Sequence, residues 1–240
     1  MDEPMAVDIA SAREFLKEAT RKASLADLQE AGRRLEHKHR LFQELLVPGA
    51  NEAELQRVFD CMFTLRRKGR RLLGQGDLAQ EISLLLHGEA PLDERFDRFV
   101  VAAEPVGPYR AIALASELLH FHQPHRYWLW TRWIWDAEKG KGALPLVTDR
   151  AQLTGDSPGQ TYLKVGRATG MVAAQAIAIG TTQLGRGLFG TDVLLAAVYA
   201  VYMRTLYRLQ ISEGFEKFLP PLDEQVRRML GVQRLQPGDA

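Results

Sequence analysis

Apolar residues recur every three to four positions along most of this chain, which is the spacing of amphipathic helices. Leucines follow it from residue 25 to 46, behind Ser24, a residue type that favours a helix start. The same spacing continues from Asn51 to Leu73. Two helices joined by a short turn at 47–50 are therefore predicted, and together they form a helical hairpin.

The remaining helices are predicted from the same spacing and from the glycines and prolines that bound it. They cover residues 77–87, 91–103, 109–121, 162–179, 191–211 and 222–230. No run of alternating apolar and polar residues is long enough to require a sheet. The predicted fold is mostly α, a compact multi-helix bundle of about eight or nine helices with no substantial sheet.

One irregular stretch interrupts the helical pattern. Residues 138–159 are dense in Gly, Pro, Asp, Thr and Ser, which favour turns and loops. They are predicted to connect an N-terminal helical region, residues 1–137, to a C-terminal helical region, residues 160–240. A single continuous domain is the alternative.

Composition narrows the range of functions. The chain has 31 Lys and Arg against 30 Asp and Glu, a net charge of +1, so no global field attracts it to nucleic acid or anionic lipid. Cys61 is the single cysteine, which excludes an intramolecular disulfide or a thiolate metal cluster within one chain. The acidic N-terminus does not resemble a secretory signal, and a cytoplasmic location is expected.

Two strongly apolar stretches, Met171–Ile179 and Val193–Met203, are each shorter than the roughly 20 residues that a membrane-spanning helix requires. We expect both to be buried core helices and expect no membrane insertion.

The aromatic segment, residues 127–135, contains every tryptophan of the chain. Its candidate contact residues are Tyr127, Trp128, Trp130, Trp133 and Trp135. On a helix these rings would almost encircle the axis, so most of them would need cover. The segment is therefore predicted either as a core helix or as an aromatic wall that binds a partner or ligand.

The second predicted helix ends in a basic cluster formed by Arg66, Arg67, Lys68, Arg70 and Arg71. Cations at this end of a helix complement its dipole, and that is a sufficient structural explanation. The alternative is a patch for nucleic-acid phosphates, an anionic cofactor or an acidic protein surface.

Three histidines, His120, His122 and His125, form a cluster around Pro124. Imidazole is a common metal ligand, but on one helix His120 and His122 would point about 200° apart. They would bind a single ion only if the chain turns at Pro124. Hydrogen-bonded histidines at a helix end are the alternative, and no other cofactor is predicted.

No catalytic motif is intact, and no catalytic residue is predicted. The glycines of 180–190 lack the Lys-Ser or Lys-Thr of a phosphate-binding loop, and Cys61 is expected to be a buried structural thiol. The predicted function is that of a non-catalytic accessory or assembly subunit, which associates with another protein or with itself. Nucleic-acid binding through the basic hairpin, or a His-ligated metal-dependent enzyme or sensor, are the alternatives.

Overall fold

The computed structural model describes residues 6–47, 50–62, 65, 69–73, 78–148, 153–210 and 219–235. The prediction of a mostly α multi-helix bundle is confirmed: these ranges contain nine helices of eight or more residues and no strand. The helices are α1 (Ile9–Lys22), α2 (Leu25–Leu45), α3 (Glu52–Asp60), α4 (Arg70–Leu73), α5 (Leu78–His87), α6 (Leu92–Ala102), α7 (Pro108–His122), α8 (Pro158–Ala174), α9 (Ala176–Ile179), α10 (Leu188–Gln210) and α11 (Leu222–Met229).

The starts of α2 and α3 are fixed by reciprocal hydrogen bonds. At α2, the Ser24 hydroxyl accepts from the Asp27 N–H while the Asp27 carboxylate accepts from the Ser24 N–H. Asn51 and Glu54 make the same exchange at α3. Each pair satisfies donors that a helix start leaves free, and such caps contribute about 1 kcal/mol.

The second helix of the predicted hairpin is shorter than the sequence indicated. It ends at Asp60, and α4 is a separate turn of helix. The break lets Phe59 and Met62 both be wholly buried. It also places the Phe59 ring against Gly69, where a Cβ would lie 2.6 Å from a ring carbon.

Helix α1 was not predicted. Its buried face consists of Ala12, Leu16 and Ala19, and two alanines give only a weak apolar signal. Asp8 begins the helix by accepting a hydrogen bond from the Ser11 N–H. Small residues allow α1 to pack against α10.

Helix α10 lies in the centre of the core, with residues 193–198 all buried. It contacts α1, α2, α8 and α11, and α6 packs on α8, so helices from both sides of 138–159 touch. The division into two helical regions stays a prediction. Within the described ranges, only residues 188–208 of α10 are apolar and long enough to cross a membrane, and most of them are buried in the protein.

The interpretation of Met171–Ile179 as a buried core helix was wrong. The stretch is divided by a break at Gln175, between α8 and α9, and the Ile177 side chain is 88% exposed. Gly180 then ends α9 in the left-handed conformation, with φ +96°. Val193–Met203, by contrast, lies inside α10 as a largely buried stretch.

Candidate functional site

The aromatic segment is not a helix. Helix α7 ends at His122, and the chain then runs through turns and irregular backbone to residue 135. Two of its backbone groups bond to side chains of α7 and α8: the Trp130 N–H donates to the Ser116 hydroxyl, and the Tyr162 hydroxyl donates to the Trp128 carbonyl at 2.9 Å. These hydrogen bonds replace those that a helix would have made.

The five candidate aromatic residues divide into two groups. Tyr127, Trp130 and Trp135 are buried in the core. Trp128 and Trp133 are half-buried. The face of the Trp128 indole rests on α8 at two glycines, Gly166 and Gly170, where added Cβ atoms would lie 3.3 and 3.1 Å from ring carbons.

Trp133 forms one wall of a cavity of about 550 Å³ between α7, α10 and α11. Its indole N–H donates to the Met229 carbonyl at 3.1 Å, which fixes the ring. We call this space the Trp133 cavity. Apolar and aromatic side chains from three helices complete its wall: Ala113, Tyr199, Ala200, Met203 and Met229. The volume and the apolar lining are those of sites that bind small molecules.

Helix α7 contributes a charged stripe to the cavity wall. Arg110, Ala113 and Glu117 all line the cavity, and their spacing of three and four residues places them on one helix face. Arg110 donates to the Val106 carbonyl at 3.1 Å. Among the described residues, no carboxylate lies within ion-pair distance of its guanidinium.

The other two arginines of the wall are already paired. Arg132 is 2.7 Å from the Asp136 carboxylate, and Arg228 is 2.5 Å from that of Glu224. Of the three arginines that the described part of the chain places in this wall, Arg110 is therefore the one without a carboxylate partner. Burial also raises the pKa of the Tyr199 hydroxyl, helped by the nearby Tyr202, so Tyr199 stays a protonated hydrogen-bond donor.

Glu117 forms a buried ion pair with Lys38 of α2. The Lys38 ammonium, wholly buried on α2, donates to Glu117 Oε2 at 2.6 Å. It also lies 3.5 Å from the Leu230 carbonyl oxygen and 4.3 Å from the centre of the Phe121 ring. Glu117 Oε1 has no hydrogen-bond partner among the described residues. Lys38 thus occupies one oxygen of the Glu117 carboxylate, and the other oxygen is without a hydrogen-bond partner on a side chain that lines the cavity.

A smaller cavity, of about 280 Å³, lies on the far side of Tyr109 and Arg132, which line both spaces. The Arg132 guanidinium is 4.2 Å from the centre of the Tyr109 ring. The Tyr109 hydroxyl donates to Glu138, whose carboxylate is also 3.6 Å from Arg132. A cation–π pair, whose two members both contact the Glu138 carboxylate, therefore separates the two cavities.

The three clustered histidines point in different directions. His120 is buried, with Nδ1 2.8 Å from the Tyr127 carbonyl oxygen and Nε2 2.8 Å from Asp192 Oδ2. The His122 ring is half-buried, 5.1 Å from the ring of His87, and His125 is exposed. Among the residues that the structure describes, no three histidine, cysteine, aspartate or glutamate side chains form a group able to hold a metal ion.

The described residues therefore give no support to the alternative in which His120, His122 and His125 bind one ion. Both ring nitrogens of His120 face acceptors, and an imidazole satisfies two acceptors only when both nitrogens carry protons. Burial alone would lower the pKa of His120. The charge and hydrogen bond of Asp192, with the Tyr127 carbonyl, outweigh burial and raise it. His122 has a lowered pKa because of burial, and then because of His87 and His39.

The basic cluster is only partly placed. Arg66, Arg67 and Lys68 lie outside the described residues, and Arg70 and Arg71 begin α4. The basic patch stays a prediction. Cys61 directly follows α3 and is half-buried, and burial raises the pKa of its thiol, which makes it a poor nucleophile.

The sequence interpretation missed Arg110 as a site residue. Its only signal was the stripe that it forms with Ala113 and Glu117 on the predicted helix 109–121, and nothing in the sequence shows what that stripe faces. Comparison with protein-family models, with curated proteins and with solved structures found no match.

Proposed function

We propose that this protein binds a small, mainly apolar molecule with an anionic group in the Trp133 cavity. The observation that carries the proposal is Arg110, a cation without a carboxylate partner among the described residues, in the wall of an apolar cavity of about 550 Å³. Guanidinium groups form strong charge-assisted hydrogen bonds with carboxylates, sulfonates and phosphates. The protonated Tyr199 hydroxyl adds a neutral hydrogen-bond donor to the cavity wall.

Binding is favoured over catalysis by the groups that line the cavity. Among the described residues, its wall contains one carboxylate, Glu117, which is already paired with Lys38, and no histidine or cysteine. General acid–base chemistry requires a group that can exchange a proton with the substrate near neutral pH, and nucleophilic catalysis requires an activated nucleophile. The aromatic side chains of the wall, with the donors Arg110 and Tyr199, are suited to binding a ligand.

A matched pair of fluorescent dyes tests this proposal. Anilinonaphthalene sulfonate and N-phenylnaphthylamine share the same aromatic body, and only the first carries a negative charge. We expect the sulfonate dye to bind the folded protein stoichiometrically and more tightly than the neutral dye. Arg110→Gln should weaken sulfonate binding about tenfold and leave the neutral dye unaffected, as loss of one charge-assisted hydrogen bond predicts.

Two further variants serve as controls. Arg98→Gln removes an arginine of α6 that is paired with Glu81 and does not line the cavity, so dye binding should not change. Ala200→Leu places three additional carbons in the cavity wall and should weaken both dyes. The proposal would be wrong if Arg110→Gln and Ala200→Leu, each folded by circular dichroism, bound both dyes as the native protein does.

The association, nucleic-acid and cytoplasmic-location hypotheses stay predictions. Association through the aromatic segment would now depend on Trp128 and Trp133, because the other three rings are buried. Purification from the source cells, with and without nuclease, tests both roles. A defined set of proteins that resists nuclease would support association, whereas bound nucleic acid would support the basic hairpin.

A further inference from the structure

The charged stripe of α7 places Glu117 where it could bind the end of the ligand opposite the anionic group. Arg110 and Glu117 are seven residues apart, and a helix rises 1.5 Å per residue, so their backbones are about 10 Å apart along the axis. Ala113 lies between them on the same face, and Ala200 and Met203 of α10 also line the space. A cation and a carboxylate therefore border one cavity with an apolar stretch between them.

Glu117 can only accept hydrogen bonds when it is ionised. Lys38 donates to Oε2 at 2.6 Å, and Oε1 has no partner among the described residues. The Glu117 side chain is only 9% exposed, so little bulk water reaches it. A ligand that places an apolar group against this oxygen would leave a charged acceptor unpaired, which is costly, whereas a donor would satisfy it.

We infer that the ligand is bipolar, with an anionic group bound by Arg110 and a hydroxyl or ammonium group bound by Glu117 at the two ends of an apolar body about 10 Å long. This inference rests on the proposed function and names the class of ligand for the same cavity. Lys38 is then a positioning residue: its hydrogen bond to Oε2 orients the Glu117 carboxylate, and it does not contact the ligand.

Three linear acids test the inference: octanoate, ω-hydroxyoctanoate and ω-aminooctanoate. Each is titrated against the native protein carrying bound anilinonaphthalene sulfonate, and displacement of the dye is followed by fluorescence. We expect the hydroxy and amino acids to displace the dye at concentrations about tenfold lower than octanoate, because only they satisfy Glu117. The ω-amino derivative of butanoate, which is too short to span the stripe, should not show this advantage over butanoate.

A double variant, Lys38→Met with Glu117→Leu, removes both charges and so avoids leaving a buried ion alone. In this variant octanoate should displace the dye at least as well as its hydroxy and amino derivatives. Arg110→Gln should weaken all three acids alike and leave their order unchanged. Both variants must retain the helical circular dichroism of the native protein.

The outcomes are distinct. Equal displacement by the three acids in the native protein, or the same tenfold preference in the double variant, would overturn the inference while leaving the proposed function intact. If the native protein binds neither the sulfonate dye nor any of the acids, both the inference and the proposed function are overturned. A preference for the donor-bearing acids that disappears only in the double variant would support both.

Discussion

Two buried ion pairs connect α7 to its neighbours, and they differ in what surrounds them. Glu117 of α7 pairs with Lys38 of α2, and one turn later His120 pairs with Asp192 of α10. The second pair is sealed in the core, whereas Glu117 belongs to the wall of the Trp133 cavity. Each pair leaves one carboxylate oxygen without a hydrogen-bond partner among the described residues, Asp192 Oδ1 and Glu117 Oε1. The two pairs differ in access, because Asp192 is enclosed in the core whereas Glu117 lines a cavity that a ligand can enter.

The two pairs also differ in how they respond to the loss of a partner. A buried pair contributes little net stability compared with apolar residues of similar shape, but removing one member leaves an uncompensated charge. Histidine can lose its proton near neutral pH, whereas lysine ordinarily titrates near pH 10. We therefore expect the cavity pair to be the more sensitive of the two.

The largest effect is expected from Glu117→Leu. The substitution leaves the Lys38 ammonium buried beside the Leu230 carbonyl and the rings of Phe121 and Phe42, none of which carries a negative charge. We expect the free energy of unfolding to fall by about 3–5 kcal/mol, measured by urea denaturation at pH 7. A loss of less than 1 kcal/mol would mean that water reaches Lys38 through the cavity, contrary to its complete burial.

Asp192→Asn should cost less, about 1–3 kcal/mol at pH 6. The asparagine amide can donate to Nε2 of a neutral His120, whose Nδ1–H still binds the Tyr127 carbonyl. A hydrogen bond thus replaces the ion pair. Urea denaturation measures the change, and Asp192→Leu, which offers no donor or acceptor, is the matched control expected to lose more stability.

The His120 pair should also make stability depend on pH. Because the pKa of His120 is raised in the folded protein, its contribution is complete below the ordinary histidine value of 6.5 and is lost as the pH rises through the raised pKa. Between these limits the free energy of unfolding should fall by about 1.4 kcal/mol per pH unit. Asp192 and Lys38 are the charged groups that act on this titration.

Urea denaturation from pH 6 to pH 9 measures that slope. The same series on Asp192→Asn should lack this component, because its folded state no longer favours the protonated ring. An identical slope in both proteins would show that another group is responsible.

The smallest effect is expected when the cavity pair is removed whole. In the double variant Lys38→Met with Glu117→Leu, apolar side chains replace both charges, and stability should stay within about 1 kcal/mol of the native value. The measurement is again urea denaturation at pH 7. A loss as large as that of Glu117→Leu alone would indicate that the pair is required for folding rather than for binding.

Local signals made much of the fold predictable. The cap residues Ser24 and Asn51 act within three positions of themselves, so their helices could be located from sequence. Pro124 likewise indicated the end of α7. Helix α1 could not be located this way because two of its three buried residues are alanines, which carry little apolar signal.

The site depended on contacts between distant parts of the chain. The aromatic segment has an irregular backbone because Ser116 and Tyr162 supply its hydrogen bonds, and neither is close in sequence to its partner. The Trp133 cavity forms only where α7, α10 and α11 meet. A single sequence shows the stripe from Arg110 to Glu117 but not the space in front of it.

The contact between Trp128 and α8 has a consequence for how this sequence can vary. Gly166 and Gly170 offer a strip of bare backbone that matches the plane of an indole. A side chain at either glycine would enter the space of the ring, so the three positions constrain one another. In any homologue, a larger residue at one of the glycine positions should be accompanied by a smaller residue at position 128, and the three should covary.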